Sequence, residues 1–138
     1  MADSGRFPFI QADERSGEAA LLPQLPITLR HEDRSTIAQG LLDTGATVNV
    51  LPYHIGAELG VTWDAAGRPI QLTGILAQHE ARPVILSASI GTFGPVRLVF
   101  AWTRSEDVPL LLGQVNFFME FDVCFYRSRK YFDVTPKG

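Results

Sequence analysis

Gly40-Leu41-Leu42-Asp43-Thr44-Gly45-Ala46-Thr47-Val48-Asn49-Val50-Leu51-Pro52 is the stretch on which the fold turns. An apolar strand runs into an acid, then Thr, Gly and a small residue, and a second apolar segment follows. A carboxylate set between two such segments is expected to lose part of its hydration, which is costly unless hydrogen bonds replace the water. Gly45 supplies the means, because a backbone without Cβ folds tightly enough to turn amide N–H groups toward the Asp43 carboxylate. Thr44 adds a hydroxyl able to tie the loop to the main chain. On its own, Asp-Thr-Gly is most simply a β-turn that opens on Asp; what flanks it changes that reading.

Outward from this stretch the pattern has period two. Ile27 and Leu29 alternate with Thr28 and Arg30; Val84, Leu86, Ala88 and Ile90 repeat the alternation. So do Val96, Leu98, Phe100 and Trp102, then Val123 and Phe125, and finally Phe132 and Val134. This spacing marks strands with one buried face. Turn chemistry separates them, as in Gly67-Arg68-Pro69, Gly91-Thr92-Phe93-Gly94-Pro95 and Arg127-Ser128-Arg129-Lys130. Many short strands with close-set turns predict an all-β barrel or sandwich. Two short segments read as helices. Tyr53 to Leu59 follows Pro52 and stops at Gly60, and Gln114 to Glu120 places Val115, Phe118 and Met119 on one face.

The chain has 138 residues, 46% of them hydrophobic and 20% charged, which suits a single domain. Residues 1–22 read as an N-terminal arm, either disordered or dimer-docking, ahead of a domain over 23–138. The segment from Gln11 to Ala20 is polar and turn-rich, whereas Phe7-Pro8-Phe9-Ile10 is an apolar tip expected to dock on this subunit or on a partner. A net charge of −3 offers no basic field for nucleic acid. The longest apolar runs, such as Leu98 to Trp102, fall far short of the roughly 20 residues that span a bilayer. The first residues lack the basic start and apolar core of a secretory signal, so a soluble cytoplasmic domain is expected.

About 65 residues beyond Asp43 comes Val108-Pro109-Leu110-Leu111-Leu112-Gly113, followed by Gln114-Val115-Asn116-Phe117-Phe118. With Leu-Leu-Asp-Thr-Gly-Ala, Val-Asn-Val-Leu-Pro and Leu-Leu-Gly in this order, the chain resembles the retropepsins, the retroviral-type aspartic proteases. The likeness spans roughly residues 24–135. It is greatest to small bacterial retropepsin-like domains, on the strength of Phe117-Phe118 and Phe121-Asp122-Val123.

The resemblance implies an all-β fold, a closed barrel of the pepsin/retropepsin-like acid protease type with one lobe per chain and one or two short helices. It implies an aspartic endopeptidase in which Asp43 is catalytic. Thr44, Gly45 and Ala46 would support the active-site loop, with Leu111, Leu112 and Gly113 in the structural motif behind it. Catalysis of this kind needs two carboxylates sharing a proton: one takes a proton from the attacking water, the other donates to the scissile carbonyl. The chain has a single Asp-Thr-Gly, so the second Asp43 must come from another copy across a twofold axis. The expected partners are therefore a second subunit and a peptide or protein substrate, with no nucleic acid, membrane, metal or other cofactor.

A flap over the cleft is expected between the two motifs, with Gly74, Ile75, Leu76, Ala77, Gln78 and His79 as candidates. Viral flaps carry a glycine-rich tip; here only Gly74 is available, so the flap is stiffer or its tip lies elsewhere. A second departure is that Gln114 and Val115 precede the polar Asn116. The terminal segments Phe7 to Ile10 and Tyr131 to Thr135 are candidates for interleaving at a dimer interface; alternatively the C-terminal strand closes its own barrel. His31, His54 and His79 lack ligand spacing, and Trp63 and Trp102 read as core. Cys124 is either a structural thiol or an exposed one. The rival functions are a catalytically weak or inactive peptide-binding and dimerisation module, and a monomeric structural domain.

Overall fold

A computed structural model describes residues 5–11, 21–72, 77 and 79–138. The polar part of the arm, residues 12–20, lies outside the described residues. In chain order the elements are β1 (Gly5–Pro8), β2 (Ile10–Gln11), β3 (Leu21–Leu22), β4 (Gln24–His31), β5 (Arg34–Leu42), β6 (Asn49–Leu51), α1 (Tyr53–Glu58), β7 (Ile70–Gln71), β8 (Glu80–Ser89), β9 (Val96–Thr103), β10 (Leu111–Leu112), α2 (Phe117–Glu120), β11 (Phe121–Tyr126) and β12 (Tyr131–Pro136). Single 3₁₀ turns at Trp63–Ala65 and Arg127–Arg129 complete them.

Six strands close a mixed barrel in the order β4-β5-β10-β6-β9-β8, sealed by pairing of β8 back onto β4. Period-two alternation dictates what fills it. Leu25, Ile27 and Leu29 of β4, Val84, Leu86 and Ala88 of β8, and Leu98, Phe100 and Trp102 of β9 are all buried. Each large apolar side chain among them contributes about 1.5–3 kcal/mol when withdrawn from water. Trp102 stacks on Tyr53 and donates from Nε1 to the Tyr53 carbonyl at 3.1 Å, while Trp63 packs on both rings from a less buried position. α1 begins after extended Pro52 and ends where Gly60 takes a left-handed φ of 79°, a conformation that favours glycine.

The second helix differs from its sequence reading. It covers only Phe117–Glu120 and buries Phe117; Val115 and Met119 are exposed at 50% and 61%. The cause is main-chain pairing: Gln114 and Val115 donate to the carbonyls of Ala46 and Thr47, which holds them in an extended crossing instead of a helical turn.

The termini form a separate sheet in the order β1-β12-β11. The apolar tip lies on this subunit, with Phe7 and Phe9 packed on Phe132. Tyr131–Thr135 therefore is not an edge, because β1 and β11 of the same chain cover both its sides; the sheet edges are β1 and β11. The alternation also fades on β11, where Phe125 is exposed and Cys124 is an exposed free thiol.

Arg6 sits directly opposite Asp133 across the β1–β12 ladder and grips it with two hydrogen bonds, Nε to Oδ1 at 2.8 Å and Nη2 to Oδ2 at 3.0 Å. The hydrogen bond from Arg6 holds the Asp133 carboxyl below its ordinary value. A depressed carboxylate gives its stabilisation in full above the ordinary value and loses it as pH falls through the folded one. Amide exchange in β1 is expected to accelerate relative to the barrel as pH drops below the ordinary carboxylate range, and Asp133→Asn should remove that pH dependence.

Candidate active site

The Asp43 loop is built by two strands far apart in sequence. β5 delivers Asp43 at its end, and β10 runs parallel beside it, with Leu111 opposite Leu41 and Leu112 opposite Leu42. On its other side β10 pairs antiparallel with β6 through Leu111 and Val50. The later strand thus passes between the two legs of the loop, in a ψ-shaped crossing. The Leu41 N–H donates to the Leu110 carbonyl at 2.8 Å, and the Asp43 N–H to the Leu112 carbonyl at 3.0 Å.

Within the loop the Ala46 N–H donates to the Asp43 carbonyl at 3.1 Å, closing the turn. The Gly45 N–H donates to Asp43 Oδ1 at 2.9 Å, so the acid is oriented by its own loop. A Cβ on Gly45 would lie 3.3 Å from that same oxygen. Asp43 itself is half-buried, whereas Thr44 and Gly45 are exposed at the tip. Among the described residues Asp43 makes no ion pair, and the Gly45 amide is the hydrogen-bond donor on its carboxylate. Underneath, Leu41, Ala46 and Val48 pack on the buried Val50, Val108 and Leu111.

Gly113 sits where the crossing is tightest. A Cβ there would lie 2.7 Å from the carbonyl oxygens of both Ala46 and Val48, and 3.0 Å from the Val48 carbonyl carbon. Its N–H donates to Asn49 Oδ1 at 2.8 Å. Asn49 is fully buried and also donates from Nδ2 to the Val99 carbonyl at 3.0 Å and to Asn116 Oδ1 at 3.1 Å. Asn116 Oδ1 in turn accepts from the Val99 N–H. Gln114 reaches over from just beyond β10, its Nε2 donating to the Thr44 carbonyl at 2.8 Å.

The sequence alone assigns no role to these three amide side chains. Asn49 carries the one available signal, a polar residue inside an otherwise apolar run. Asn49→Ala is expected to strand the buried Gly113 N–H, remove the bond to the Val99 carbonyl and cost about 3 kcal/mol, read as a shifted urea midpoint.

Of the flap candidates, Gly74, Ile75, Leu76 and Gln78 lie outside the described residues. Ala77 and His79 belong to the connection between β7 and β8, which pair antiparallel through Ile70–Ala81 and Gln71–Glu80. The Ala77 carbonyl accepts from Gln71 Nε2 at 3.0 Å. At the base of this hairpin Leu72 and Ala81 cluster with Ala101 of β9, and Val48 packs against them.

The other histidines lie on separate elements. His31 Nδ1 is 3.1 Å from the Leu59 carbonyl, and His54 Nδ1 is 3.5 Å from Glu106 Oε1. Among the described residues no three His, Cys, Asp or Glu side chains gather at metal-binding range, and no helix is long and apolar enough to cross a membrane.

A closed six-strand barrel whose late strand threads an Asp-Thr-Gly loop is a retropepsin-like fold, with one lobe per chain. Among solved structures it is similar to a retropepsin-like aspartic protease from Rickettsia conorii, at 14% identity and a TM-score of 0.67 over 99% of this chain and 94% of that one. It also aligns with EIAV protease in complex with the inhibitor HBY-793, at 21% identity and a TM-score of 0.48 over 67% of this chain and 82% of that one. No family model matches the chain, and no curated protein is similar to it in sequence.

Proposed function

We propose that the protein is an aspartic endopeptidase active as a homodimer, hydrolysing peptide bonds through a water held between the two Asp43 carboxylates. The observation that carries this reading is the Gly45-oriented Asp43, presented beside an exposed loop tip at the end of the ψ-shaped crossing. One such acid is half of a catalytic pair. Two carboxylates brought close cannot both ionise readily, so one keeps its proton and serves as the acid while the other serves as the base. Thr44, Gly45 and Ala46 hold the loop, Leu111, Leu112 and Gly113 back it, and residues 74–79 cover a substrate strand lying extended between subunits. The exposed free thiol of Cys124 is consistent with a cytoplasmic setting.

Cleavage of a mixed peptide library, followed by mass spectrometry across a range of pH, tests the reading. Hydrolysis that appears only at concentrations where sedimentation shows a dimer is the expected result. Binding of library peptides by a dimer without cleavage would instead identify a peptide-binding module, the reading that the single-glycine flap favours.

A further inference from the structure

β5 is covered on one side along its length and only partly on the other. It pairs with β4 from Arg34 to Leu41, but β10 reaches only Leu41 and Leu42. Within a strand, alternate residues turn their N–H and C=O to the same side. Leu41 and Asp43 donate toward β10, so the main-chain groups of Ile37 and Gln39 face that side too, and no backbone partner meets them there among the described residues. A groove of about 420 Å³ borders this stretch, lined also by Ile55 and Glu58 of α1 and by Val108 and Pro109.

We propose that this groove is a docking site for an extended segment of a partner polypeptide in which apolar and basic residues alternate. The open edge asks for a strand, and β10 already adds to the same edge one step further along, through Leu41 and Leu110. The side chain of Ile37 is 73% exposed beside the groove and supplies an apolar contact. Glu58 lines the groove and its carboxylate makes no ion pair among the described residues, Arg34 Nη1 donating instead to its main-chain carbonyl at 3.4 Å. The Glu58 carboxylate favours Lys or Arg on the incoming strand. The site is independent of the hydrolytic reading, since β10 fills the edge between the groove and Asp43.

The test uses the Asp43→Asn protein, so that a bound peptide stays whole, and a fluorescein-labelled peptide of alternating Val and Lys. Saturable binding by anisotropy is expected, with amide exchange at Ile37 and Gln39 slowed by about tenfold or more. N-methylation of one alternate set of peptide nitrogens should abolish binding while methylation of the other set leaves it intact, because only one side of the peptide meets β5. Glu58→Lys should weaken binding by about tenfold. The proposal is overturned by absence of saturation up to about 1 mM. Equal binding of both methylated peptides, or an unchanged affinity in Glu58→Lys, also overturns it. So does protection of the Ile37 and Gln39 amides in the peptide-free dimer, which would give this edge to a second copy of the chain.

Discussion

Asp43→Asn is expected to lower peptide hydrolysis roughly 10⁴-fold while leaving the barrel folded and the subunits associated. The substitution keeps the shape of the side chain and its acceptor oxygen for the Gly45 N–H, so the loop retains its turn. What it removes is the group that can take a proton from water, and in a symmetric dimer it removes both copies at once. A mixing experiment sharpens the result. When wild-type and Asp43→Asn subunits exchange freely, activity should fall as the square of the wild-type fraction, since a hybrid dimer has one acid. A linear fall would mean that each subunit acts alone and would end the paired-acid reading.

Gly113→Ala is the second large effect. The added methyl would meet two carbonyl oxygens at 2.7 Å and a carbonyl carbon at 3.0 Å, all of them main-chain atoms of the Asp43 loop. A flexible side chain could swing aside; these atoms can move only by shifting residues 46–48. The expected cost is about 3 kcal/mol in urea unfolding. Activity should fall further than the remaining folded fraction accounts for, because Ala46 closes the turn onto the Asp43 carbonyl. Gly94→Ala is the control, since a Cβ there meets nothing within 4 Å and stability should change by less than about 0.5 kcal/mol.

The strands and the acid loop were legible because their physics is local. Leu98, Phe100 and Trp102 alternate as a pleated strand requires, and Gly45 directly after Asp43 and Thr44 announces a tight turn that can hydrogen-bond its own carboxylate. The second helix was misread for an equally physical reason. Val115, Phe118 and Met119 have helical spacing, but side-chain periodicity carries no trace of the main-chain bonds from Gln114 and Val115 to Ala46 and Thr47. Those bonds decide the conformation, and Phe117, off the apparent stripe, is the ring that is buried. The position of β12 was hidden likewise. An edge strand and an interior strand of a small sheet read alike until it is known that Gly5–Pro8 folds back beside Tyr131–Pro136. Asn49 lay between the two cases: its polarity was plain, but its partners Gly113 and Asn116 come from the other end of the chain.

The hydrogen bond from Gln114 to the Thr44 carbonyl joins residues 70 apart in sequence. Such a closure has a kinetic consequence, because long-range contacts are gained only after the entropy of a large loop has been lost. During synthesis the acid emerges from the ribosome well before the strand that shapes its surroundings. A nascent chain ending short of residue 110 carries Asp43 without the scaffold that orients it. The surroundings of Asp43 would thus be completed only once residue 114 has been made, well after the acid itself.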